Sequence, residues 1–136
     1  MKNPRITKKD KELIKGALRR VFSRSELRRE ALKRNETPYK DKRRPRVTKW
    51  GWCESCGIIE ALYLLEVDHH DPVIPIKSSL EMISLEKLAD NIWCSIDNLK
   101  VLCKACHRVK SGLERKERAK YKKSVSSKNK LFKSRR

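Results

Sequence analysis

Two Cys-x-x-Cys pairs, Cys53/Cys56 and Cys103/Cys106, hold four of the five cysteines in the chain. Thiolates at this spacing can close around one tetrahedral zinc ion. Cys94 has no partner at that spacing and reads as a small core residue. The three histidines fall in two stretches: His69 and His70 in Asp68-His69-His70-Asp71-Pro72, and His107 directly after Cys106. Carboxylates and imidazoles are the groups that hold divalent ions and move protons. Phosphodiester hydrolysis uses both. A neutral imidazole, with an ordinary pKa of ~6.5, can take the proton of water, and a divalent ion can stabilise the charge that develops on phosphorus and the leaving oxygen.

The charge distribution suits the same chemistry. The chain is 136 residues long with a net charge of +19. Residues 1–49 carry 19 Lys/Arg against 6 Asp/Glu, and residues 103–136 carry 14 against 2. The centre, 50–102, reverses the balance, with 3 against 9. Basic arms attract phosphate backbones through counterion release, and the acidic centre suits a cation. A nucleic acid is therefore the expected partner. Arg19, Arg20, Arg24, Arg28, Arg43, Arg44, Arg108 and Lys110 are the candidate phosphate contacts. No run approaches the ~20 apolar residues of a membrane span. The basic N-terminus lacks an apolar signal core, so a cytoplasmic location is expected.

The motif residues resemble, in order, those of the HNH endonucleases, a family with a ββα-metal fold. The matching stretches are Asp68-His69-His70-Asp71-Pro72, Asn98-Leu99, and Leu102-Cys103-Lys104-Ala105-Cys106-His107-Arg108-Val109-Lys110, within about residues 50–118. The resemblance implies DNA as the partner and a hydrolase that cuts it to leave a 5′-phosphate and a 3′-hydroxyl. It implies His69 as general base, and Asp68 and His107 as ligands of a catalytic divalent ion, Mg²⁺ or Mn²⁺. Asn98 would position the His69 region, and the four cysteines would hold a structural zinc. His70 is the rival base, disfavoured because Pro72 then leaves the family spacing. Asp71 reads as a turn residue. Small HNH proteins are often carried by phages or mobile elements; cutting both strands with one active site takes a homodimer or two successive events, and a larger DNA-processing complex is the other partner expected. The alternative reading is a non-enzymatic zinc ribbon that binds nucleic acid, or an accessory nicking factor.

These residues need elements to position them. The expected architecture is α+β: a zinc-stabilised ββα core at 50–118, basic helices at 1–34, a linker at 35–49 and a disordered basic tail at 119–136. Thr7, with Asp10 in the first turn, starts a first helix through Leu13, Ile14, Ala17, Leu18, Val21 and Phe22. Ser23-Arg24-Ser25-Glu26 fits a capping box for a second. Leu62–Val67 is a strand candidate, Ser84–Ile92 a helix inserted between His70 and Asn98, and Leu99–Leu102 a second strand. A helix then runs from about Lys104 to Arg118. Trp50 and Trp52 are read as core residues.

Overall fold

The computed structural model describes residues 5–134. Helix α1 (Lys8–Phe22) begins in a reciprocal cap: Thr7 Oγ1 accepts from the Asp10 amide, and the Asp10 carboxylate accepts from the Thr7 amide. Its apolar residues divide: Phe22 is buried, Ile14 and Leu18 are half-buried, and Leu13 and Val21 stay exposed. Helix α2 (Glu26–Arg34) is capped by Ser25, whose hydroxyl accepts from the Arg28 amide at 3.2 Å. The expected capping box at Ser23 does not form. Running α1 on to Phe22 buries that ring and leaves Ser23 to close α1, its hydroxyl donating to Arg20 O.

Strands β1 (Glu36–Thr37), β2 (Trp50–Trp52) and β3 (Ile59–Ala61) form one antiparallel sheet in that order. The segment expected to be a linker is thus tied into the fold. Asn35 is buried, donates from Nδ2 to Trp52 O and accepts from the Trp52 amide at its own carbonyl. Tyr39 meets Trp50 edge-on, and Arg44 lies 4.5 Å from the centre of the Trp50 ring. Trp50 is a core residue as expected, whereas Trp52 is exposed. Of the strand candidate Leu62–Val67, only its end is strand. Leu62–Leu64 is a 3₁₀ turn that drops Leu65 into the core, and β4 spans Glu66–His69.

β4 pairs antiparallel with β5 (Leu99–Leu102), with Asp68 opposite Lys100 and His69 opposite Leu99. Their connection carries α3 (Leu85–Ile92), capped by Ser84 Oγ. β5 leads straight into α4 (Lys104–Ser134). The expectation of a disordered tail fails for 119–134, because α4 continues unbroken through Lys, Ser and Leu residues with no proline to stop it. Residues 135 and 136 of that expected tail, and 1–4 of the N-terminal arm, lie outside the described residues.

One core joins these pieces. Phe22 and Ala31 from the N-terminal helices pack in the same apolar cluster as Leu65, Leu88, Ile92, Leu99 and Val101. The helices at 5–34 are therefore part of the core rather than an appended arm. Half-buried Cys94 packs against this cluster, as expected of a non-ligand. Among the described residues no helix is long and apolar enough to cross a membrane.

Candidate metal centre and its cleft

The first cysteine pair sits on a turn built by backbone hydrogen bonds. The Gly57 amide donates to Cys53 O at 2.9 Å and the Cys53 amide to Ile58 O at 3.0 Å. Gly57 takes φ of +75°, a conformation that glycine adopts without steric cost. Glu54 fastens this turn to β5. Its amide donates to Val101 O at 2.9 Å, and its carboxylate pairs with Arg34 at 2.7 Å and Lys100 at 3.3 Å. The turn thereby meets Cys103 and Cys106 at the start of α4.

One sulfur from each of the four cysteines lies within 4.8 Å of all the others, and Cys56 Sγ and Cys103 Sγ are 3.8 Å apart. Tetrahedral Zn–S bonds of ~2.3 Å set sulfurs about 3.8 Å apart. The four cysteines are positioned to hold a metal ion, and an all-sulfur tetrahedral set suits structural zinc. The environment splits the thiols. Burial pushes Cys53 up, but amides of Cys56, Cys103 and Ser55 outweigh it and bring the pKa down to about 6. The Ser55 hydroxyl lowers Cys106, but the neighbouring Cys103 and Cys56 sulfurs prevail and push it up to about 12. A divalent cation is the charge that favours four thiolates together.

Four residues along the chain from Cys103, His107 occupies the first turn of α4. Its Nδ1 lies 2.5 Å from Glu66 Oε2, and its Nε2 lies 3.7 Å from Asp68 Oδ1. A carboxylate accepts, so Nδ1 donates to Glu66, and Nε2 is the nitrogen that faces Asp68. Strand alternation places Glu66 and Asp68 on the same face of β4. Lys110, three residues after His107, donates to Asp68 Oδ2 at 2.7 Å, to Glu114 Oε1 at 2.5 Å and to His69 O at 2.7 Å. Burial would lower the Lys110 pKa, but Asp68 and Glu114 outweigh it and hold it above the usual lysine value.

His69 turns to the other side of β4. Its Nε2 lies 2.8 Å from Ile92 O, at the end of α3, and its ring packs 5.3 Å from that of Phe22. A carbonyl only accepts, so Nε2 donates, and in the neutral ring the lone pair is on Nδ1. Asn98 pins the following turn: its carbonyl accepts from the His70 amide at 2.7 Å and its Oδ1 from the Asp71 amide at 2.9 Å. His70 and Asp71 are exposed and face each other at 3.2 Å, apart from this set.

Asp68 and His69 open onto a cleft of about 1090 Å³ between α1, residues 72–82 and α4. Ten Lys and Arg line it against three carboxylates, so its field favours an anion. Of the candidate phosphate contacts, Arg19 and Lys110 line this cleft. Arg20, Arg24 and Arg108 are exposed. Arg28 lines a smaller hollow of about 700 Å³ with Arg46, Lys49 and Tyr63. Arg43 and Arg44 pair with Asp41, and Arg44 also with Glu60 at 3.1 Å. Lys110 is engaged by carboxylates rather than held free for phosphate.

Sequence reading missed Glu66, Glu114 and Glu54. Glu66 stands two residues before Asp68 in a strand, and Glu114 four after Lys110 in a helix, so periodicity could have found both. Glu54 carries no such signal, since its partners are distant in the chain. Comparison with protein-family models, with curated proteins and with solved structures finds no match to this chain.

Proposed function

We propose that this chain is a metal-dependent endonuclease of the HNH type that hydrolyses DNA phosphodiester bonds. The observation that carries the reading is the orientation of His107: Nδ1 on Glu66, Nε2 toward Asp68 at 3.7 Å. Imidazoles that ligate metals commonly donate their other N–H to a carboxylate, which fixes the tautomer. The separation exceeds a hydrogen bond and suits two ligands of one ion at ~2.0–2.2 Å each. Two protein ligands also fit Mg²⁺ or Mn²⁺, which keep water and substrate phosphate in the remaining positions. The succession β4–β5–α4 gives the reading its ββα framework, and the four cysteines, which would hold zinc, join the helix start to the Cys53 turn.

The side chains divide the work. Asp68 and His107 would hold the ion, which when bound stabilises charge on the phosphoryl and leaving oxygens. His69, with Nε2–H committed to Ile92 O, presents Nδ1 to take a proton from the attacking water. The oxygen of that water bonds to phosphorus as the P–O3′ bond breaks, and the departing oxygen gains a proton from solvent. Asn98 keeps the turn after His69 in place. Lys110 orients Asp68 through its second oxygen.

The test is incubation of purified protein with supercoiled plasmid and Mg²⁺ or Mn²⁺, against the same mixture with EDTA. Circular dichroism would establish the EDTA dose that removes Mg²⁺ or Mn²⁺ without stripping the cysteine-bound ion and unfolding the chain. Metal-dependent nicked or linear product is expected, and the ratio of the two reports strand count. DNA binding with no cleavage under any divalent ion would replace this reading with the non-enzymatic zinc ribbon.

A further inference from the structure

Among the cations lining the cleft beside Asp68 and His69 that the proposed chemistry leaves unused, three lie close enough to feel one another's charge. Lys15 and Arg19 come from α1, and Arg118 from α4. None of the three belongs to an ion pair among the described residues. Arg118 is fixed instead by carbonyls, donating to Pro75 O at 3.1 Å and to Ile74 O. Two of the three carboxylates lining the cleft, Asp68 and Glu114, are already taken by Lys110. Positive charge is thus gathered from two helices, and no ion pair among the described residues neutralises these three. The strain registers on Lys15. Burial first, then the adjacent Arg19, hold its pKa below the usual lysine value, with Arg118 adding to this and Glu12 opposing it.

Like charges held together against their repulsion are the hallmark of a site completed by an anion. A guanidinium anchored through carbonyls is already oriented, so little freedom is lost when phosphate arrives. We infer that Lys15, Arg19 and Arg118 form a grip for backbone phosphates of duplex DNA flanking the bond that lies at Asp68 and His69. The inference rests on the nucleolytic reading for what lies beside the grip, but its own content is binding. It gives α1 a role in holding substrate, and it assigns contacts that carry no base readout, so the grip acts on any sequence.

The experiment is fluorescence anisotropy with a short labelled duplex, without added Mg²⁺ or Mn²⁺, over a series of salt concentrations. Each phosphate contact adds about 0.9 to the slope of log K against log salt. Lys15→Gln and Arg19→Gln should each reduce that slope by about one, and together by about two, equally on duplexes of unrelated sequence. Because Arg118 also ties residues 74 and 75, Arg118→Gln is compared with Arg118→Lys. The glutamine should reduce the slope and the lysine should largely keep it, with unchanged circular dichroism in both. An unchanged slope in Lys15→Gln/Arg19→Gln overturns the grip, as does failure of the parent chain to bind duplex. Binding with the expected slope losses but no plasmid cleavage leaves the grip standing and removes the nuclease reading alone.

Discussion

His107 and Glu66 meet across the first turn of α4 and the start of β4, Nδ1 to Oε2 at 2.5 Å, and this contact decides which imidazole nitrogen faces Asp68. Glu66 is 39 % exposed, so it is not needed to fill the core. Glu66→Ala should leave the fold intact and weaken Mn²⁺ binding about 10–100-fold, as loss of such an outer partner typically does. Glu66→Gln, whose amide oxygen still accepts from Nδ1–H, should recover part of the loss. Electron paramagnetic resonance titration with Mn²⁺ reads the affinity directly. Equal affinity in all three proteins would detach Glu66 from any metal role.

His69→Ala removes the only side chain proposed to take the proton of water. Plasmid cleavage should fall about 10²–10⁴-fold, with DNA binding preserved. Losing the Ile92 contact should cost only about 1 kcal/mol of stability. Full cleavage by this variant would refute the base assignment.

Cys103→Ala removes one sulfur from the cluster at the junction of β5 and α4. Structural zinc contributes about 10–16 kcal/mol of apparent binding energy. That is comparable with the whole stability of an ordinary domain, about 5–15 kcal/mol. The variant should therefore lose zinc and helical circular dichroism together. A folded, zinc-free variant would show that the apolar core suffices.

Gly51→Ala tests the packing behind the site. A Cβ at Gly51 would lie 2.7 Å from Leu62 Cδ1, 2.9 Å from Leu65 Cδ1 and 3.0 Å from Asn35 O. Overpacking of this kind costs about 1–3 kcal/mol. The urea midpoint should drop with its slope unchanged. An unaltered midpoint would mean that the two leucines move aside freely.

Local signals carried most of what could be read ahead of the structure. The strand Leu99–Leu102, the helix capped by Ser84 and the paired cysteines each depend on neighbours in sequence, and each is found where periodicity and spacing place it. The segment 35–49 was misread because its anchors are distant: Asn35 answers to Trp52, and Arg44 to Trp50 and Glu60. The extent of α4 was misread for a different reason. Lack of apolar residues argues against packing, but a lysine-rich stretch without proline can still continue a helix already nucleated at Cys103. Ser23 lost its expected cap to a tertiary demand, the burial of Phe22.

The carbonyl of Ile92, which the inserted α3 delivers to His69, makes the long β4–β5 connection costly to prune. A trimmed protein could keep every motif residue and still free the imidazole to flip, exchanging the nitrogen it offers to solvent. Loop length here is a constraint on proton inventory, and shortening it would have to be matched by a new acceptor at the same point in space.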